Sequence, residues 1–278
     1  MIDRRYLPLA LVTTMAMLSA GGATGPRVPP RVPVVTITAR EFAFDAPDSI
    51  SAGPTTVRLV SRGRQEHFVQ FVKLSVGHTS ADYLRASIAH EPTPWAMSVG
   101  GVGTIPAGGT AAVTIDLKPG RYVLVCDMSD TDGTAHFVKG MARPLTVVEG
   151  PSVAAMPIPD AVLDLTDYAF TLSKPLTAGT HVLRVRNAGS QPHMALLWRL
   201  HQGKSVADVV RWMDTTGPAT APVTLVGGVP DLDRGQSVEL VLDLIPGRYA
   251  LICLVDDIHD HKPHYAHGMV REVLIGEK

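Results

Sequence analysis

The sequence predicts an all-β fold: two tandem Greek-key β-sandwich domains, each with one short helix. Three observations predict it. The chain repeats itself at an offset that drifts from 126 to 128 residues. Each copy contains β-branched-rich runs bounded by Gly and Pro turn residues, which is the pattern of short strands. A copy of ~115 residues holds about seven such strands, the content of a sandwich domain.

The repeat is read position by position. Phe42-Ala43-Phe44 matches Tyr168-Ala169-Phe170, Gln65-x-His67 matches Gln191-x-His193, and Thr79-x-Ala81-Asp82 matches Ser205-x-Ala207-Asp208. Pro119-Gly120-Arg121-Tyr122 matches Pro246-Gly247-Arg248-Tyr249, Cys126 matches Cys253, and His136 and Met141 match His264 and Met269. Self-similarity at a fixed period marks a duplicated structural unit. The expected organisation is a signal peptide (1–23), a Pro-rich spacer (24–33), a first domain (34–149), a linker (150–159) and a second domain (160–278). A chain of 278 residues suits two domains.

The N-terminal expectation rests on order. Arg4 and Arg5 precede an apolar run from Leu7 to Leu18, and small residues follow from Ser19 to Thr24. That is the charged, apolar, small-residue sequence of a secretory signal, with cleavage near Ala23. The apolar run is shorter than the ~20 residues of a membrane span. The protein is therefore expected in a periplasm or outside the cell, with no transmembrane anchor after cleavage.

Within the copies, strands are expected at Val34–Ile37, Thr56–Val60, Ala112–Leu117 and Tyr122–Val125, and at Val182–Val185, Val238–Leu244 and Tyr249–Leu254. Pro119-Gly120 and Pro246-Gly247 are turns between consecutive strands. Thr79 with Asp82, and Ser205 with Asp208, have capping-box spacing and each opens a helix.

Composition narrows the function. Lys and Arg number 25 against 26 Asp and Glu, so there is no basic excess for nucleic acid. Aromatics are 5%, too few for a base-stacking platform. Hydrophobics at 45% and charged residues at 18% exclude a disordered chain. Two cysteines cannot form a disulfide scaffold.

The chemistry lies in a set that occurs once per copy: His67, Cys126, His136 and Met141, then His193, Cys253, His264 and Met269. Two imidazoles, a thiolate and a thioether are the donors of a trigonal His₂Cys copper site with a weak axial Met. Thiolate and thioether stabilise Cu(I) and imidazoles suit Cu(II), so one fixed shell serves both states. Cys at the end of a strand with His and Met on the next loop supplies three donors from one segment; the upstream His comes from a neighbouring strand. Each residue alone has a plainer reading: the two Cys as a disulfide, the Met as core fillers, the His as satisfied core groups. Four donor types at duplicated spacing favour the metal reading. Asp127, Asp130, Asp132 and Gly133 read as a solvated acidic loop, because the twelfth-position Glu of a calcium loop is missing. His259, His261 and His267 are spare in copy two and leave open a further metal site or a surface loop.

On PGRYVLVCDM…HFVKGM and PGRYALICLV…HYAHGM, the sequence resembles the cupredoxin family over nearly all of the mature chain. His-x4-Met, with Gly140 or Gly268 before the Met, is similar to the plastocyanin-type ligand loop. The resemblance implies an antiparallel sandwich with one type 1 (blue) copper per domain, up to two per chain, on the eight residues above. Nine residues separate Cys126 from His136 and ten separate Cys253 from His264. Plastocyanin-like loops are shorter; longer ones are similar to those of copper nitrite reductases. The extra residues are either a surface excursion or a distortion of the site.

Tandem cupredoxin enzymes join the type 1 Cys to a second copper through an adjacent His. Here Cys126 is flanked by Val125 and Asp127, and Cys253 by Ile252 and Leu254, so the His-Cys-His motif is missing. The expected function is therefore a one-electron carrier working with a redox partner protein, rather than an enzyme. The alternatives are a copper-buffering protein without a redox partner, and a multicopper oxidoreductase with an additional His-ligated copper.

Overall fold

A computed structural model describes residues 31–150, 154–215 and 220–277. The expected signal peptide lies outside the described residues. The first half contains β1 (Val34–Arg40), β2 (Ala43–Asp45), β3 (Ser49–Ser51), β4 (Gly53–Ser61), β5 (His67–Leu74), α1 (Ser80–Ile88), β6 (Ala96–Ile105), β7 (Thr110–Leu117), β8 (Gly120–Val125) and β9 (Ala142–Val148). The second contains β10 (Ala161–Thr166), β11 (Ala169–Leu172), β12 (Gly179–Asn187), β13 (His193–Leu200), α2 (Val206–Met213), β14 (Val223–Leu232), β15 (Ser237–Leu244), β16 (Gly247–Ile252) and β17 (Val270–Ile275).

The strands fold as expected from their side chains. In β4, Thr55, Val57, Leu59 and Ser61 alternate inward, the period of a half-buried strand. The run Tyr122–Val125 in β8 is instead buried on both faces. One face joins the sandwich core. The other packs Val123 and Val125 beside Val72 and Leu74 under α1, with Tyr83, Leu84 and Trp95 closing over them. Both helices start at the expected capping boxes: Thr79 and Ser205 accept from the backbone of Asp82 and Asp208, whose carboxylates accept in return. Gly120 (φ 145°) and Gly247 (φ 154°) occupy the turns before β8 and β16, where a side chain would be strained. The tyrosine two residues on returns to each turn: Tyr122 donates to the Lys118 carbonyl at 2.7 Å, and Tyr249 to that of Ile245 at 2.8 Å.

The architecture is the expected all-β one, in two layers, and each layer runs through both halves. One sheet has the order β11-β10-β12-β15-β7-β4-β1-β2 and the other β17-β16-β13-β14-β6-β5-β8-β9-β3. Apart from β3, each order reads alike from either end under the repeat, so the halves are arranged about an approximate two-fold. The joins are β15 with β7 (Glu239 opposite Thr114, Leu240 opposite Val113) and β14 with β6 (Leu232 opposite Val99). Ser98 N–H donates to Asp233 Oδ2 at 2.8 Å, and Gln70 Nε2 donates to the Asp231 carbonyl at 3.0 Å. At this seam the backbones come close. A Cβ on Gly103 would lie 2.6 Å from the Gly228 carbonyl across the join. A single core, including Val102, Val113, Val229 and Leu240, spans the seam.

The seam also carries a pH-sensitive group. Burial, then the like charges of Asp127 and Asp233, push the Asp231 carboxyl up to about 7. A carboxyl whose pKa is higher folded than unfolded adds stability that is complete below its unfolded value, near ~4, and is lost as pH rises through its folded value. Asp231→Asn is therefore expected to raise Tm relative to the parent more at about pH 8 than at about pH 4. Melting curves of both proteins at the two pH values check this; an equal or smaller gain at the higher pH refutes it.

Candidate metal centres

The elements bring each predicted set together. His67 opens β5 and His193 opens β13, each after a turn. Cys126 and Cys253 follow β8 and β16 directly. In the first half Cys126 N–H donates to Met141 O (3.2 Å), His136 N–H to Met128 O (2.7 Å) and Met141 N–H to His136 O (2.9 Å). The second half repeats these bonds: Cys253 to Met269 (3.1 Å), His264 to Val255 (2.8 Å) and Met269 to His264 (2.9 Å). The backbone thus binds Cys, His and Met to one another. Gly140 (φ 113°) and Gly268 (φ 97°) allow the turn that delivers Met.

The longer loops are surface excursions. Ser129 bridges Ala135, and Asp256 bridges Pro263, so the extra residues form small hairpins outside the site. Asp130 and Asp132 both pair with Lys139, as suits a solvated acidic loop.

Donor atoms of His67, Cys126 and His136 lie within 4.8 Å of one another, as do those of His193, Cys253 and His264. All six residues are buried, at 0–1% exposure, and Met141 and Met269 are at 0%. The Cys126 sulfur is 3.6 Å from His136 Nδ1, and the Cys253 sulfur 3.4 Å from His264 Nδ1. Both cysteines are free thiols, so the disulfide reading does not hold in this structure. Burial pushes each thiol up to about 12, and backbone N–H groups work against it: those of Phe68 and Met128 at Cys126, and of Met194 and Val255 at Cys253. Burial holds all four imidazoles below the usual histidine value, so they are neutral donors at neutral pH.

A copper ion fits these sets on the structure's own terms. His67 Nδ1, the ring nitrogen turned away from Glu41, has no hydrogen-bond partner. Buried polar atoms are rarely left that way, because the loss of water is uncompensated. In the second half the Nδ1 atoms of His193 and His264 face each other at 3.0 Å, two nitrogens turned to one point. Two neutral imidazoles and a displaceable thiol proton, with a buried Met bonded to Cys and His through the backbone, suit copper by donor type.

A layer of partners behind the donors escaped the sequence reading. Glu41 and Asp167 stand at equivalent positions behind the upstream histidines. Asp167 Oδ1 is 2.9 Å from His193 Nε2, whereas Glu41 Oε1 is 4.0 Å from His67 Nε2. Burial raises the Asp167 carboxyl, but hydrogen bonds from Ser190, His193 and the backbone outweigh it and bring it down to about 2. Gly63 and Gly189 make room for these pairs: a Cβ on either would lie 2.6 Å from the His Nε2. Gln65 Oε1 is 3.1 Å from His136 Nε2; its equivalent, Gln191, donates to Asp257 Oδ2 at 2.8 Å. Phe42 and Tyr168 roof the downstream histidines edge-on, with ring centroids 5.2 and 5.5 Å away. Both hold left-handed backbones, at φ 62° and 63°. The repeat offset pairs 41 with 167, 42 with 168 and 65 with 191, but it does not place any of them beside a histidine. Of the spare histidines, His267 gathers with Asp257 and Asp260, while His259 and His261 are exposed and join no such group among the described residues.

No protein-family model matches the chain, and no curated protein matches it. Solved structures do. Reduced auracyanin from the photosynthetic bacterium Roseiflexus castenholzii is 22% identical, over 41% of this chain and 96% of that one, with a TM-score of 0.29. Copper nitrite reductase from Nitrosomonas europaea is 14% identical over 88% and 94%, with a TM-score of 0.27. The copper-containing nitrite reductase of Thermus scotoductus is 11% identical over 88% and 61%, with a TM-score of 0.25. Overlaps this loose assign no activity. The two-layer β fold and the paired donor sets stand on the chain's own strand order and geometry.

Proposed function

We propose that this chain is an exported one-electron carrier that holds a type 1 copper on His67, Cys126, His136 and Met141 and a second on His193, Cys253, His264 and Met269. The observation that carries the reading is the convergence, twice and at equivalent positions, of two neutral imidazoles and one thiol in surroundings that water does not reach. Bound copper supplies a single electron's worth of redox chemistry. The chain supplies a rigid, dry shell: strand ends and backbone hydrogen bonds fix the donors, so little rearrangement accompanies a change of charge. Burial of all eight side chains suits a carrier better than an enzyme acting at these sets, because a substrate needs an open position and an electron does not. Export rests on the Arg4-Arg5 and Leu7–Leu18 pattern, and the redox partner protein is inferred from the carrier role. Among the described residues no helix is long and apolar enough to cross a membrane.

The test is copper content and visible absorption of the purified protein after Cu(II) loading. Two coppers per chain with an intense Cu(II)–thiolate band are expected. Bound copper without that band would replace the carrier with a buffering protein. More than two coppers would point to the oxidoreductase alternative.

A further inference from the structure

We infer that the two centres differ in electron affinity, and that Asp167 lowers the affinity of the second by acting through His193; this rests on the copper reading above. The repeat allows position-by-position comparison. In the second half, Asp167 Oδ1 accepts directly from His193 Nε2 at 2.9 Å. Its carboxylate is fixed by Ser190, whose N–H reaches Oδ1 at 2.9 Å and whose hydroxyl reaches Oδ2 at 2.5 Å. In the first half the equivalent Glu41 stays 4.0 Å from His67 Nε2, and its Oε1 accepts from the backbone N–H groups of Arg64 and Gln65 instead. An imidazole whose remote N–H donates to a carboxylate is the more basic ligand through its other nitrogen. It favours the oxidised, more highly charged metal.

The downstream histidines differ in the same direction. His136 Nε2 meets the neutral Gln65 amide at 3.1 Å. The acid beyond it, Asp130, is neutralised by Lys139, whose ammonium lies 5.0 Å from the centre of the Phe42 ring that roofs His136. In the second half His264 Nε2 faces Asp257 Oδ2 at 3.8 Å, and the position of Lys139 is taken by His267, against the Tyr168 ring. Asp257 accepts from Tyr168, Gln191 and backbone N–H groups, all neutral donors. Each upstream histidine thus faces a carboxylate, but only Asp167 is within hydrogen-bond reach; downstream, the first centre has the Lys139 ammonium beside it and the second has the Asp257 carboxylate. Negative charge at short range in a poorly hydrated site stabilises the oxidised ion, and positive charge the reduced one. With one electron per chain, the electron resides in the first centre. Asp167 is a positioning residue: it touches the ligand and not the metal.

Optical redox titration of the fully copper-loaded protein tests this. Two one-electron waves are expected, separated by at least tenfold in electron-partition constant, about 59 mV for one electron. Cys126→Ser should leave the lower wave and Cys253→Ser the upper one. Asp167→Asn keeps an acceptor oxygen and removes the charge; it should raise the lower wave by a comparable amount and leave the upper one in place. Asp167→Glu should keep more of the original position than the Asn variant. A single unresolved wave, the reverse assignment in the Cys variants, or an Asp167→Asn shift in the upper wave or in neither would overturn the inference. The Cys variants decide the order even where an Asp167 variant does not fold. Absence of the Cu(II)–thiolate band, or one copper per chain, would instead overturn the copper reading and the inference with it.

Discussion

Replacing Cys126 with serine is expected to remove one copper and one thiolate chromophore and to leave the other at full strength. The two sets draw on separate segments, 67–141 and 193–269, and share no residue. The backbone bonds that fix each Cys to its Met stay within one half. Serine keeps the size of the side chain but is a hard donor with no accessible anionic form, so it cannot replace the thiolate. A hydroxyl at a fully buried position also costs roughly 1–3 kcal/mol if left without a partner. Copper analysis and the visible spectrum before and after the substitution measure the effect. Loss of both chromophores would mean that the centres are built cooperatively, and loss of neither would remove Cys126 from the site.

Gly103→Ala is expected to produce a large loss of stability from a single methyl group at the seam. The new Cβ would meet the Gly228 backbone at 2.6 Å, an approach that backbone atoms on both sides cannot relieve by a rotamer change. Overpacking of this kind costs roughly 1–3 kcal/mol and occasionally more. Gly276 is the control, because a Cβ there meets nothing within 4 Å. The denaturant midpoint should fall clearly for Gly103→Ala and stay near the parent for Gly276→Ala. Equal midpoints would show that the seam between the halves opens without cost.

The grouping of His67 with Cys126 and His136, and of His193 with Cys253 and His264, was legible in the sequence because candidate metal ligands are a short list of residue types and the duplication displayed them twice. Cys126-x9-His136-x4-Met141 stands out without coordinates. So did α1 and α2, since a capping box is a local bond pattern readable from Thr79 and Asp82 alone. The acids behind the histidines were not legible. Glu41 and Asp167 lie 26 residues from His67 and His193, on another strand's turn, and nothing local distinguishes them from surface carboxylates. Their different reach, 4.0 against 2.9 Å, is a tertiary fact. The seam was hidden for a related reason: Val99-Gly100-Gly101 and Val226-Gly227-Gly228 carry no strand signal, because glycine weakens a strand in isolation. They lie in β6 and β14, where a Cβ on Gly101 would come 1.9 Å from the Val69 carbonyl and one on Gly228 2.4 Å from that of Ala195, so a neighbouring strand that the local sequence does not show requires the glycine.

Joining the halves edge to edge also decides how the molecule meets copies of itself. Two free sandwiches would offer twice as many open ribbon margins to other chains. Here the outermost strands of the first sheet are β2 and β11, of three and four residues. Those of the second are β3, of three residues, and β17, which carries Arg271 and Glu272. Short or charged margins are poor templates for strand addition. The fusion therefore protects the protein from polymerising through its sheets.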